Sequence, residues 1–208
     1  MPGTDQLLAY VVASAILGIT PGPDLIYVMV RGTAQGSRAG VVAAAGLCTG
    51  IIGHTVFAVM GLSALLATST IAFTFVKLAG AAYLGYLGIR MLLGRKQLDF
   101  SSRGDSQPLG NIYRQSIMMN LLNPKVGLFF MAFLPQFVVP EAIPVAPQFA
   151  VLGLIFMVVS FFVMASAGIA GGQACRWLAT SERASRWIQY GAGTVLIALG
   201  LRLAFEKA

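Results

Sequence analysis

Residues 20–24 read Thr20-Pro21-Gly22-Pro23-Asp24, and they interrupt an apolar stretch that spans residues 6–30. A proline removes a backbone donor and clashes with the preceding helical turn, so two of them predict a break in the helix. Residues 6–19 alone would form a helix of about 21 Å, which is shorter than the roughly 30 Å hydrocarbon core of a bilayer. The break therefore lies within a membrane or near its edge, where freed carbonyls need protein or a water-filled cavity.

The composition assigns the chain to a membrane. Of its 208 residues, 57% are hydrophobic and 10% are charged, whereas a soluble domain carries roughly 25% charged residues. The 24 glycines are scattered through the apolar stretches, as in membrane helices that pack closely. Gly46-x-x-x-Gly50 predicts one such packing surface, which we expect to face another helix of the same chain. The fold class predicted is an all-α integral membrane protein in contact with lipid.

The net charge of +7 raises the question of nucleic acid as a partner. The basic residues stand between the apolar stretches rather than along one helix face, which is typical of a membrane protein. We therefore expect no nucleic-acid partner.

Six stretches are long enough to span a bilayer, which takes roughly 20 mostly apolar residues. They are about 6–30, 40–67, 71–93, 114–138, 148–174 and 186–205. The long polar segment 94–113 separates two halves of three helices each, residues 1–93 and 114–208. The prediction is a single transmembrane domain over residues 1–208.

Lysines and arginines gather at one end of the predicted helices, which sets the orientation of the chain. They follow the first, third and fifth stretches: Arg31, Arg38, Arg90, Arg95, Lys96, Arg103, Arg114, Arg176, Arg183 and Arg186. Arg202 and Lys207, near the C-terminus, are exceptions. Since cytoplasmic loops carry the excess of Lys and Arg, segment 94–113 is predicted to be cytoplasmic, in an inner (plasma) membrane with both termini outside. Three helices per half then give two inverted repeats.

The fourth stretch carries a second interruption, Asn120-Leu121-Leu122-Asn123-Pro124-Lys125. Interrupted helices at corresponding places in two halves are the best sequence indication of a transporter's binding site. Helices 1 and 4 are thus predicted to be broken around a site, at Pro21, Gly22, Pro23 and Pro124. The alternative is two unrelated proline kinks that affect packing alone.

Asp24 and Lys125 are the strongest candidates for that site. An ionisable side chain at the centre of a membrane helix costs about 2.5–3.5 kcal/mol on insertion scales, so it needs a partner or a use. Lys125 lies about halfway along its stretch, too deep to reach water easily. Asp24 follows the first break and would be near Lys125 if the two breaks meet. Asn120 and Asn123 supply polar groups beside them.

His54 and Lys77 also lie within apolar stretches, and each has two interpretations. His54 could act as a ligand or proton relay, or it could donate a hydrogen bond to a neighbouring carbonyl. Lys77 could belong to the site, or its long stem could carry the ammonium to the outer interface. The cysteines, Cys48 and Cys175, share no metal-type spacing, so we expect no metal and interpret both as packing residues.

With these motifs, the chain resembles the LysE/RhtB family of amino-acid exporters over nearly its whole length. Pro21-Gly22-Pro23-Asp24 resembles the family's hallmark in the first helix, and the glycine series that follows is matched by Gly36, Gly40, Gly46 and Gly50. The run from Lys77 to Gly88 resembles the third-helix signature. The fourth signature is resembled by Asn120 to Lys125, followed by Phe129-Phe130 and Pro135-Gln136-Phe137. Four signatures in this order are specific, whereas any one alone would not be.

The resemblance implies export of amino acids or derivatives such as threonine, homoserine or homoserine lactone. Export would be an antiport driven by the proton gradient, without a cofactor. The resemblance also favours a site role for Lys77, which lies within a signature. Family members carry Asn as well as Asp at the position of Asp24, so an essential proton carrier there is not implied. The sequence does not identify the amino acid or the coupling ion.

These charges suggest how a zwitterionic substrate would bind. Its carboxylate would meet Lys125, with Lys77 as a further candidate, and backbone N–H groups at half-helix N-termini. Its ammonium would meet Asp24 and the carbonyls freed near Thr20 and Pro21. Protonation of Asp24 from outside would weaken the ammonium contact and couple proton entry to substrate exit.

Other classes of function have less support. An intramembrane enzyme would need a motif such as HExxH, paired aspartates or a serine with a matched base, and the sequence contains none of these. An accessory membrane subunit or a passive channel stays open as an alternative. A transporter of 208 residues is small, so a homodimer is also compatible with the sequence.

Overall fold

A computed structural model describes residues 3–62, 70–93, 106–139, 144–180 and 182–205. Within these ranges the chain forms helices and no strand, as predicted. The helices are α1 (Thr4–Ile19), α2 (Pro23–Gln35), α3 (Ser37–Phe57), α4 (Thr70–Leu93), α5 (Leu109–Leu121), α6 (Pro124–Leu128), α7 (Val145–Thr180) and α8 (Glu182–Phe205). A π-helical turn, Ala58–Leu62, extends α3. A π-helical turn and a 3-10 turn, Phe129–Phe133 and Leu134–Phe137, extend α6.

Both predicted helix breaks are present. α1 and α2 meet at an angle of 60°, and α5 meets the helical segment from Pro124 to Phe137 at 46°. Pro23 and Pro124 begin α2 and α6, where the missing N–H would have had no helical partner. The prolines therefore end one helix and start the next.

Two continuous helical segments among the described residues are long and apolar enough to cross a membrane, Ser37–Leu62 and Val145–Gly171. The number rises to four if each bent pair, α1 with α2 and α5 with α6, is one span. α4 and α8, each of 24 residues, pack along each other. The protein is a multi-pass membrane protein, and the total of six spans stays a prediction.

Several helices extend beyond their predicted boundaries. α5 begins at Leu109, so residues 109–113 of the predicted linker 94–113 are helical and the second half starts before residue 114. α7 continues to Thr180, past the predicted end at residue 174. The end of an apolar stretch predicts where the chain leaves the bilayer, but it does not predict how far the helix continues into water. Residues 94–105 of the linker lie outside the described ranges.

α3 packs against α2, α5 and α7, and its glycines bring it close to α5. A Cβ on Gly46 would lie 2.6 Å from the Cβ of Ser116, and one on Gly50 would lie 2.8 Å from the Cβ of Asn120. The predicted packing of Gly46-x-x-x-Gly50 within the chain is confirmed. This contact also fixes the position of Asn120 at the second break.

Glycines likewise let α7 cross α3 in backbone contact. A Cβ on Gly168 would lie 2.9 Å from the Cα of Gly40, and one on Gly40 would lie 2.7 Å from the Cα of Gly168. These distances are too short for two carbon atoms. A methyl group can therefore enter the crossing only if the helices separate.

Gly168→Ala should lower the stability of the folded protein. Overpacking a close contact costs typically about 1–3 kcal/mol, which corresponds to a fall of at least about 2 °C in the Tm measured in detergent. Gly191 is the matched control, because it lies in α8 and a Cβ there would meet nothing within 4 Å. Gly191→Ala should keep or raise the Tm, since alanine is the better helix former. Equal Tm values for the two variants would contradict the crossing.

Candidate functional site

The two helix breaks meet around a buried cavity. Its polar lining comes from Asp24, Asn120, Lys125 and Ser160. The rest of the lining is apolar or small: Leu17, Gly18, Leu47, Cys48, Ile51, Val126, Phe156 and Met164. The cavity offers about 20 Å³ to the centres of water molecules, which is room for one or two waters. Three of the predicted site residues, Asp24, Asn120 and Lys125, thus line one cavity.

Lys125 fills the gap that the first break leaves in the backbone. Pro21 has no N–H to donate to the carbonyl of Leu17, and the end of α1 leaves the carbonyl of Thr20 without a helical donor. The Nζ of Lys125 donates to both oxygens, at 3.2 Å to Leu17 and 3.1 Å to Thr20. The carbonyl of Thr20, one of those that the sequence predicts to be free for a substrate's ammonium, is therefore occupied by this lysine.

Gly22 makes room for the ammonium of Lys125. Its φ of −166° is extended backbone that any residue adopts, so conformational freedom does not explain a glycine here. A Cβ on Gly22 would lie 3.2 Å from the Nζ of Lys125. Any larger residue would press on the lysine.

Asp24 is paired with Asn120 across the two breaks. Nδ2 of Asn120 donates to Oδ2 of Asp24 at 2.8 Å, and a carboxylate can only accept, which fixes the orientation of the amide. Among the described residues, the Oδ1 atoms of Asp24 and Asn120 are both buried and have no hydrogen-bond partner. Buried acceptors without a partner are costly, so these two oxygens indicate a place for the donor of a ligand.

His54 and Asn123 stabilise the second break. Pro124 has no N–H to donate to the carbonyl of Asn120. Nε2 of His54 donates to that oxygen at 3.0 Å, and so does the N–H of Asn123, at 2.9 Å. Oδ1 of Asn123 in turn caps α6 by accepting from the N–H of Lys125 at 3.0 Å. Of the two interpretations of His54, the structure has the bond to a carbonyl.

The side chains of two residues discussed in the sequence analysis lie outside the part of the chain that the structure describes. Lys77 belongs to α4, but its side chain is outside the described part of the chain, and its role stays a prediction. The same holds for the side chain of Cys175. In the ranges that are described, no three His, Cys, Asp or Glu side chains are grouped so that they could hold a metal ion.

A family model described as LysE type translocator matches residues 15–207, a range that contains both breaks and the whole cavity. The chain belongs to the LysE family. The predicted family is therefore confirmed, and because LysE proteins are translocators, the chain is a transporter and not an enzyme.

Curated relatives of this LysE chain match it over nearly their whole length. The homoserine/homoserine lactone efflux protein of Salmonella typhimurium is 32% identical over 199 residues, which are 96% of each chain. The leucine efflux protein of Klebsiella pneumoniae is 30% identical over 203 residues, 97% of this chain and 96% of the relative. No solved structure shows a significant match.

An aromatic cluster adjoins the cavity of this LysE protein through Phe156, which belongs to the cavity lining. The ring centroid of Tyr10 lies 6.3 Å from that of Phe129 and 5.0 Å from that of Phe137. Phe133 and Phe156 lie 4.8 Å and 5.0 Å from Phe129. All five side chains are buried. This aromatic cluster packs the end of α1 that carries Tyr10 against the segment Phe129–Phe137.

Polar contacts hold α2 against α5 and the residues before it. The hydroxyl of Tyr27 donates to Oε1 of Gln115 at 3.0 Å. Nε2 of Gln35 donates to the carbonyl of Gln107 at 2.9 Å, and Oε1 of Gln35 accepts from Nη1 of Arg31 at 3.1 Å. These contacts join α2 to α5 and to the residues before it.

Of the cavity residues with a hydroxyl or thiol group, neither Cys48 nor Ser160 was predicted as a site residue. Cys48, interpreted as a packing residue, is buried but also lines the cavity. Ser160 lies in the apolar stretch 148–174 together with Ser166, and nothing in their spacing distinguishes them. The structure places Ser160 at the cavity and leaves Ser166 exposed. The sequence signal that could have pointed to Ser160 was a hydroxyl group within an otherwise apolar helix.

Proposed function

We propose that the protein exports an amino acid, or a derivative of one, from the bacterial cytoplasm across the inner membrane in exchange for protons. The relatives described above are efflux proteins for homoserine, homoserine lactone and leucine. The observation that carries the proposal is the cavity between the broken helices, where Asp24 and Lys125 lie with acceptors that lack partners among the described residues.

Lys125 is the group that would bind the substrate's carboxylate. An ammonium has three donors, and the carbonyls of Leu17 and Thr20 engage two of them. The third donor remains for a substrate. The N-terminus of α2, which begins at Pro23, adds the positive end of a helix dipole beside it.

Asp24 and Asn120 would bind the substrate's ammonium through the Oδ1 atoms that have no other partner among the described residues. The opposite charges of Asp24 and Lys125 balance each other, and a zwitterion between them adds no net charge. Each charge of the substrate is then buried against an opposite one, which is the condition for burying ions at acceptable cost. A free amine or a free carboxylate alone would leave one protein charge uncompensated.

Transport requires the cavity to open, because about 20 Å³ is too small for an amino acid. Each half contains a broken helix followed by two more helices: α1–α2, α3 and α4, then α5–α6, α7 and α8. Corresponding helices pack on each other, α3 on α7 and α4 on α8, as helices next to a twofold axis between the halves would. These contacts support two inverted three-helix repeats that rock around the site.

In the orientation predicted from the positive-inside pattern, each of the two groups of contacts described above would close the cavity toward one side of the membrane. With segment 94–113 in the cytoplasm and both termini outside, the aromatic cluster is the outer gate. The contacts of Tyr27 with Gln115 and of Gln35 with Gln107 form the cytoplasmic gate. Protonation of Asp24 from outside would release the substrate's ammonium and couple proton entry to export.

Purified protein in liposomes with an acidic lumen should accumulate radiolabelled homoserine or leucine from outside. Protons leave the lumen as substrate enters, so one proton per substrate allows about tenfold accumulation for each pH unit. A protonophore should abolish the accumulation. Flux that only equilibrates would favour a passive channel, and no flux of any amino acid would favour an accessory subunit.

A further inference from the structure

A groove lies at the N-terminal end of α8, outside the cavity between the helix breaks. Its described lining comes from that helix alone: Arg183, Arg186, Trp187 and Tyr190. The spacing of three and four residues places these side chains on one side of α8. The groove offers about 340 Å³ to the centres of water molecules, which is within the roughly 300–1,000 Å³ of small-molecule sites. It is therefore large enough to hold the headgroup of a lipid.

The groove lies at the membrane edge predicted for α8. The apolar stretch of this helix was predicted over residues 186–205, and the helix begins shortly before it, at Glu182. Trp187 and Tyr190 are 70% and 42% exposed, and such amphipathic rings prefer the level of the lipid headgroups. Toward the other end of α8, the exposed side chains include Leu201 and Phe205. The exposed surface of α8 thus changes from basic and aromatic to apolar along its length, in the order in which a phospholipid changes from headgroup to acyl chain.

The charge of the groove selects an anion. Its described lining carries two positive charges and no negative one, and both arginines are exposed. A guanidinium presents a planar fork of donors that matches a phosphate group. Arg186 already takes part in an interaction within the protein, and its five donors allow it to hold a phosphate oxygen as well. The group that complements this groove is therefore a phosphate at the level of the headgroups.

We propose that the groove binds an anionic phospholipid, with its phosphate held by Arg183 and Arg186 and its glycerol region in contact with Trp187 and Tyr190. In the orientation predicted above, the lipid belongs to the cytoplasmic leaflet, where basic pockets of membrane proteins bind anionic headgroups. A zwitterionic phospholipid is a weaker ligand, because its own cationic group offsets the charge of its phosphate. The proposal concerns lipid binding and does not depend on the export function.

Lipid binding is tested on the purified full-length protein in detergent. The protein is titrated with phosphatidylglycerol and, separately, with phosphatidylcholine of the same acyl chains, and the Tm is followed, since a ligand of the folded state raises it. Wild-type protein should respond to phosphatidylglycerol at a concentration at least about tenfold lower, the smallest effect of one hydrogen bond to a charged group.

A pair of double variants tests whether the preference belongs to this groove. Arg183→Gln combined with Arg186→Gln should bring the ratio of the two concentrations to about one. Arg38→Gln combined with Arg114→Gln is the matched control, because it removes two exposed arginines that do not line the groove. It changes the net charge by the same amount on the same predicted side of the membrane, and it should keep the ratio. The comparison separates a local site from the general attraction of basic segments to anionic lipid.

Several results would overturn the proposal. A wild-type protein that responds to both lipids at the same concentration would do so whatever the variants show, and so would an equal fall of the ratio in the control variant. Inorganic phosphate that raises the Tm as phosphatidylglycerol does would indicate a site for a free anion. A groove variant with a changed oligomeric state would assign the surface to a second copy of the chain. If the double variant is not monodisperse, Arg183→Gln alone must lower the ratio for the proposal to stand.

Discussion

Lys125→Met should lower amino-acid exchange in liposomes by at least about 100-fold. Without the ammonium, the substrate's carboxylate and Asp24 would both be buried without a positive charge, and breaking a buried pair in this way costs about 3–5 kcal/mol. Each 1.4 kcal/mol is a factor of about ten in an equilibrium constant. The measurement is the initial rate of exchange, together with stabilisation of the purified protein by its substrate.

Controls must separate binding from folding, because Lys125 also bonds to the carbonyls of Leu17 and Thr20. Arg38→Met removes an exposed positive charge away from the cavity and should leave exchange unchanged. Lys125→Arg keeps the charge and should retain the fold with part of the exchange. A Lys125→Met protein that is monodisperse in detergent and exchanges at the wild-type rate would rule out the carboxylate-binding role.

The helix breaks were predictable because proline acts through its own covalent geometry. Pro21, Pro23 and Pro124 each remove a donor whatever surrounds them, and counting residues into each apolar stretch is enough to place Asp24 and Lys125 inside the membrane. These are local properties, so the sequence contains them directly.

The partners of those residues could not be predicted. Lys125 bonds to carbonyls 108 and 105 residues earlier in the chain, and Asn120 bonds to Asp24 across 96 residues. Such contacts depend on how α1, α2, α5 and α6 pack. The sequence predicts that proline leaves a carbonyl without its helical donor. Which residue donates to that carbonyl instead depends on the tertiary structure.

The sequence also could not show which faces of α3 and α7 line the cavity. The sequence predicts that Gly50 packs against another helix, but only the structure shows that it meets Asn120 and so fixes one wall of the site. An all-apolar helix has no polar face to reveal which side turns inward. Ser160 and Ser166 therefore could not be told apart.

Asp24→Asn should abolish accumulation driven by a pH gradient while it preserves exchange of substrate for substrate. An amide does not take up a proton as a carboxylate does, yet its oxygen can still accept from the substrate's ammonium. In liposomes with an acidic lumen, the accumulation ratio should fall from about tenfold per pH unit to about one. Both assays should be run on the same preparation, so that a loss of coupling is distinguished from a loss of protein.

Asp24→Ala should go further and abolish exchange as well, because it also removes the oxygen that would accept from the substrate's ammonium and that accepts from Nδ2 of Asn120, which asparagine can replace. Asp5→Asn is the matched control: Asp5 is exposed in the first turn of α1, and its loss should change neither assay. The critical result is that exchange is retained by the asparagine variant and lost by the alanine variant. A residue that served folding alone would affect exchange and accumulation together. Accumulation by Asp24→Asn that still followed the pH gradient would mean that the proton crosses on another group, and Asp24 would then be a binding residue without a part in coupling.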